Sequence, residues 1–214
     1  MELLYQRIGL ENEDRSDNKP FYTGNTYHGF ELSIDGDVRR NVLEKLQLKL
    51  TEALQQAKGA KRINLVHKPG AGGTTLSRRI AYNFHNNYPT IILLKYVRGR
   101  TIISINESAE FTQKSIILIV EAFRINENDI EYFMREINNN KKNVVILYVK
   151  RDQQRERNIL NGDLINLSDK MIDITEMSRF ISKYSMLAND QGRQQKLSGF
   201  KDEPLTRYDV IDYL

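Results

Sequence analysis

The residues best placed to do chemistry lie in one short run: His67-Lys68-Pro69-Gly70-Ala71-Gly72-Gly73-Thr74-Thr75. A phosphate-binding loop reads glycine, four residues, glycine, lysine, then serine or threonine. Laid on this chain, His67 stands at the opening glycine, Gly72 at the second glycine, Gly73 at the lysine and Thr74 at the hydroxyl. Glycines let backbone N–H groups turn inward at a helix N-terminus, where they and the helix dipole hold phosphate. Lys68, Pro69, Gly70, Ala71, Gly72, Gly73, Thr74 and Thr75 are therefore the candidate contacts for ATP or another NTP. Thr74 or Thr75 can offer its hydroxyl to magnesium. A ligand-free turn between strand and helix does not need three glycines and two threonines, which favours phosphate binding.

The missing lysine separates two jobs. A charge-assisted hydrogen bond is worth about 1.5–3 kcal/mol, so its loss weakens binding roughly ten- to a hundred-fold. Losing one donor to a transition state costs about a hundred- to a thousand-fold in rate. Binding is expected to outlast hydrolysis unless another cation substitutes. Arg78 is one candidate, a helical turn (about 5.4 Å) beyond Thr74, with its side chain leaning back toward the helix start. Lys68 is another; it occupies the place of the extra lysine in the deviant loops of chromosome-partitioning ATPases, though a solvated loop lysine is the preferred reading. Arg98 or Arg100 is the third.

The acid of such a site ends an apolar strand. Here Ile116-Ile117-Leu118-Ile119-Val120 runs into Glu121. Two roles stay open. Glu121 replaces the magnesium-holding aspartate, acting through water, or Val120 stands in that place and Glu121 is the surviving base. A third reading makes it a strand-end cap. Glu121 and Arg78 are the candidate catalytic residues, and Thr74 and Glu121 the candidate magnesium ligands. Lys150 and Arg151, after the next apolar run, stand where a γ-phosphate sensor would, or are surface charges.

The elements needed to position these groups are visible as alternating patterns. Ile63–Val66, Ile91–Tyr96, Ile116–Val120 and Val144–Val149 are apolar and β-branched, as parallel strands buried on both faces are. Leu164–Leu167 reads as a fifth, edge strand. Helices are expected over 75–86, over 126–137 with Asn126 as cap, and around Met177, Phe180, Ile181, Tyr184 and Leu187. Val38, Val42, Leu46, Leu50 and Leu54 make an apolar stripe on a helix that Asp37 would cap and Gly59 would end. The fold class is α/β: a three-layer domain of the P-loop NTPase type, with a mainly parallel central sheet behind an N-terminal arm and an amphipathic helix. Residues 1–36 form the arm and lead-in, 37–189 the domain, and 190–214 a tail or the start of a further domain. The chain is expected to be a piece of a longer protein.

Composition narrows the classes further. The chain has 214 residues, with 40% hydrophobic and 28% charged, as in soluble globular proteins. No apolar run is long enough to span a membrane, and no signal core opens the chain. Cys 0 excludes disulfides and thiolate chemistry, and a cytoplasmic location fits it. His28, His67 and His85 are not clustered, so a zinc site is not expected. The net charge of +4 is interspersed rather than segregated, which disfavours a nucleic-acid surface. A nucleotide-independent scaffold for oligomerisation or nucleic-acid contact is the alternative class.

Phe21-Tyr22-Thr23-Gly24, Tyr27-His28-Gly29-Phe30, Asp37-Val38-Arg39-Arg40 and Pro69-Gly-Ala-Gly-Gly-Thr-Thr together resemble the STAND-like P-loop NTPases. That group includes bacterial anti-phage proteins, some fused to sirtuin-type effectors, and vertebrate antiviral proteins with sterile alpha motifs. The resemblance runs from Phe21 to about Tyr184, with the lead-in and loop as its specific parts. It implies a nucleotide-dependent switch flanked by an effector on one side and sensor repeats on the other; a homo-oligomer is a separate partner expectation. Gly73 then belongs to a Pro-Gly-x-Gly-Gly-Thr-Thr variant. Glu121 departs from the usual aspartates, which puts hydrolysis further in doubt. Arg39 and Arg40 match the group's arginine pair, for nucleotide contact or for packing.

Overall fold

A computed structural model describes residues 2–3, 32, 35–56, 58–152, 163–167 and 174–187. The motif Phe21–Phe30, most of the arm and the tail beyond 189 lie outside the described residues.

Continuous apolar runs became strands. They are β2 (Ala60–His67), β3 (Thr90–Ile92), β4 (Ile116–Glu121), β5 (Val144–Arg151) and β6 (Asp163–Leu167), preceded by a two-residue β1 (Glu2–Leu3). They form one sheet in the order β1-β3-β4-β5-β2-β6. The central β4 and β5 are buried on both faces, while β6 at the edge keeps one face exposed. All pairs are parallel except β1 with β3. The mainly parallel α/β fold expected from sequence is therefore present. Among the described residues the helices are α1 (Val42–Gln56), α2 (Gly73–Phe84), α3 (Arg100–Thr112), α4 (Glu127–Asn139) and α5 (Ile174–Leu187).

Strand alternation sorts the core into two layers. Ile63, Leu65, Ile117, Ile119, Leu147 and Val149 pack with Leu46 and Leu50 of α1 and Leu76 and Ile80 of α2. Leu118, Val120, Ile146 and Tyr148 face the other way, onto Ile102 and Ile105 of α3 and Ile130 and Phe133 of α4. Asn126 caps α4 as expected; its side-chain oxygen accepts from the Asp129 N–H.

Three expectations need correction. α1 begins at Val42, not after Asp37, because the Asp37 carboxylate is taken by Arg79 instead of capping. The strand expected over Ile91–Tyr96 stops at Ile92, although Leu93 still donates to the Ile119 carbonyl. Helix α3 was not expected at all. Its Thr, Ile, Ser and Asn residues are poor helix formers, yet Ile102, Ile105 and Ala109 recur at helical spacing and are buried.

Candidate functional site

The order of the sheet sets the site. β2 lies between β5 and β6, and the chain leaves it for the distant β3. Ligands of open parallel sheets bind beyond the carboxyl ends of strands at such reversals. The glycine-rich loop leaves β2 at this edge and runs into α2. Gly70 and Gly72 have φ of 73° and 84°, the left-handed region that glycine adopts without strain. Gly72 is the N-cap of α2 and no side chain caps the helix. The first backbone donors of α2 have no carbonyl of their own helix to meet, so this end offers N–H groups and a positive dipole end to an anion.

Gly73 is a different kind of glycine. It is the first residue of α2 and its φ is not positive, so its backbone would accept any residue. Its neighbour forbids one. A Cβ on Gly73 would lie less than 3.0 Å from Cγ, Cδ2 and Nε2 of His67, nearer than real Cβ atoms come. The two departures from the phosphate-loop pattern, histidine for glycine and glycine for lysine, thus occupy one another's space. His67 is 6% exposed. Its Nδ1 stands 2.8 Å from the Lys68 carbonyl. A carbonyl only accepts, so Nδ1 carries the proton of the neutral ring. Burial pushes the pKa below the usual histidine value and nearby Arg151 pushes the same way, while the bond to Lys68 and the charge of Glu121 oppose them.

The acid reaches the loop from β4. Val120 faces the α3–α4 layer and is fully buried there. Glu121, one residue on, belongs by alternation to the α2 layer. The Thr74 hydroxyl donates to its Oε1 at 3.3 Å. Alternation thus turns Val120 into the α3–α4 layer and brings Glu121 to the loop. Arg124 stands 3.7 Å from the other carboxylate oxygen. One hydroxyl and one carboxylate suit magnesium, which takes few protein ligands and completes its shell with water and phosphate oxygens. Among the described residues no group of three or more His, Asp or Glu forms a separate metal site.

The same alternation sorts the cations. Arg151 pairs in register with His67 and Lys150 with Val66. Since Val149 belongs to the α2 layer and Tyr148 to the opposite one, Arg151 shares the face of His67 and Glu121, and Lys150 does not. Arg78 is half-buried on α2, one turn from Thr74. Arg98 lies 4.1 Å over the Tyr132 ring of α4. Arg100 opens α3 and is exposed.

Behind the loop, the lead-in and α5 are clamped to it. Arg40 donates from Nε to Glu176 at 2.5 Å and from Nη1 to the Ala71 carbonyl at 2.7 Å. Its guanidinium lies 5.6 Å over the Phe180 ring. Arg79 of α2 meets Asp37 with two nitrogens and the Leu32 carbonyl with a third. Arg39 is exposed and held by Asp35. Of the arginine pair, Arg40 has the packing role. A tight crevice with a cavity volume of about 20 Å³ lies between these parts. Val38, Arg40, Gly72, Thr75, Phe180 and Tyr184 are among its walls. Sequence reasoning missed Arg79, Asp37 and Glu176 as parts of this assembly. An arginine three residues after Leu76, and so on the same helix face, was the available signal.

No family profile matches the chain, and no curated protein matches it. Solved structures give only a distant likeness. C. elegans PCH-2 shares 12% identity at a TM-score of 0.48, over 69% of this chain and 48% of that one. Aeropyrum pernix ORC2, solved in ADPNP–ADP complexes, shares 16% at 0.47, over 75% and 53%. AMPPCP-bound DnaA from Aquifex aeolicus shares 12% at 0.48, over 85% and 62%. This chain thus spans about half to three-fifths of each. At such scores they carry no argument about its function, and the fold rests on strand order and register.

Proposed function

We propose that the chain is a nucleotide-binding switch module, taking ATP with magnesium, that holds phosphate better than it cleaves it. The observation that carries this is the Thr74–Glu121 pair at 3.3 Å, a hydroxyl and a carboxylate meeting at a glycine-rich helix N-terminus. Phosphate would rest on the amides of the loop and the first turn of α2, with that of Ala71 already given to the Lys68 carbonyl. Magnesium would sit between Thr74 and Glu121, the latter through water. Arg78, one turn from Thr74, and Arg151, on the face of Glu121, would supply the cations for the phosphates, and neither stands at the lysine's place. Slow or absent turnover follows.

The resemblance to STAND-like NTPases extends this reading to a defence or signalling protein in the cytoplasm, with effector and sensor domains elsewhere and homo-oligomers as partners. The Arg40–Glu176 clamp supports a switch, because it ties a carbonyl of the phosphate loop directly to α5.

The test is magnesium linkage. ATP affinity measured by calorimetry should rise roughly ten-fold or more when magnesium is added, as expected for one to two charge-assisted contacts. Glu121→Gln should remove most of that gain without lowering the melting temperature. Equal affinity with and without magnesium would sink the assignment of Thr74 and Glu121.

A further inference from the structure

The exclusion between His67 and Gly73 says more about this loop than its lack of a lysine. The glycine at 73 is not needed for its dihedrals. The nearest atoms to a side chain there all belong to the His67 ring. That ring is fixed at its other corner by the Lys68 carbonyl. It therefore spans the loop, touching the residue that begins it and the residue that ends it.

We propose that His67 and Gly73 are a size-exchanged pair, in which an imidazole from the strand end fills the space of a lysine stem from the helix and braces the loop in its phosphate-ready shape. His67 is here a positioning residue. It acts on the backbone of Lys68 and Gly73, whose amide and carbonyl directions set the cradle. Lysine at 73 and histidine at 67 exclude each other. Restoring the lysine alone should thus harm the site, and removing the histidine alone should loosen it. Only both changes together should rebuild a lysine-bearing loop. Alternation places residue 67 on the α2 face with Ile63 and Leu65, so the exchange needs no change in strand register.

The proposal rests on the nucleotide reading for its binding arm and stands apart from it in its stability arm. The experiment is a four-protein cycle: wild type, His67→Gly, Gly73→Lys and the double exchange, each melted and titrated with ATP and magnesium. Gly73→Lys should melt lower and bind roughly ten- to a hundred-fold more weakly, the range that overpacking produces. His67→Gly should bind roughly ten-fold more weakly through the cavity it leaves. The double exchange should recover both melting temperature and affinity relative to Gly73→Lys, a non-additivity that independent sites do not show. Its ATP turnover should exceed wild type by about a hundred-fold, since a transition-state cation is back. A merely packing role for His67 would lower the melting temperature of His67→Gly and leave its ATP affinity unchanged.

Gly73→Lys behaving as wild type, or a double exchange no better than Gly73→Lys alone, overturns the pair. A double exchange that binds ATP without gaining turnover overturns the identity of position 73 as the lysine's place. If wild type binds no nucleotide but the melting temperatures show rescue, the nucleotide reading fails and the pair stands.

Discussion

The phosphate loop and the clamp behind it use charge in opposite ways. From Pro69 to Thr75 the loop carries no charged side chain and offers backbone amides, two hydroxyls and a helix end. The clamp is dense with charge and almost dry. Arg40, Arg79, Asp37 and Glu176 are all under 9% exposed, and each meets an opposite charge. A buried ion pair adds little net stability, but removing one partner leaves an uncompensated buried charge. The clamp therefore serves to fix one arrangement of lead-in, α2 and α5, and the loop serves to receive an anion without a fixed counter-charge. The bond from Arg40 to the Ala71 carbonyl joins them.

That contrast breaks first at the clamp. Arg79→Ala strands the Asp37 carboxylate and should cost about 3–5 kcal/mol of stability, read as a lower midpoint in chemical denaturation. A cost below about 1 kcal/mol, the worth of a surface pair, would show that the clamp is not buried in solution.

The next effect falls on the ligand side alone. Arg151→Ala should leave stability within about 0.5 kcal/mol, as exposed substitutions do, yet weaken ATP roughly ten-fold through one lost charged contact. Lys150→Ala, from the opposite face of the sheet, should leave affinity unchanged. Equal losses in both variants would mean that the local positive potential matters and not the side of the strand.

The smallest effect is a pH dependence of stability. The folded His67 has its pKa held below the ordinary 6.5, chiefly by burial. Above that value both states are neutral at this site and its contribution is intact. As pH falls below 6.5 the unfolded chain binds a proton that the folded chain refuses, and stability declines until the folded pKa is passed. The slope cannot exceed about 1.4 kcal/mol per pH unit. His67→Leu should flatten it, and a slope unchanged in that variant would move its origin to another group.

Much of this was legible before any coordinates. Continuous β-branched runs announced buried parallel strands, and Gly70, Gly72 and Thr74 announced the loop, because composition alone carries those signals. Other parts were written in three dimensions. Which of Val120 and Glu121 faces the loop was open in sequence and is read only from the layer that alternation gives each. The same holds for Lys150 and Arg151. Asp37 has the look of a helix cap, and only the fold brings Arg79, 42 residues along the chain, to take it. Helix α3 was hidden because its residues prefer other states and its burial outweighs that preference. The meaning of Gly73 was out of reach, since a missing side chain is explained only by what fills its place.

Titration of the intact chain with ATP and magnesium tests the central claim, that this loop holds phosphate without its lysine. The account predicts saturable binding with a Kd below about 1 mM, or better than roughly −4.1 kcal/mol. Gly72→Val, which puts a branched side chain at φ 84°, should abolish it. No saturation at millimolar ATP by a chain that still melts cooperatively would contradict it.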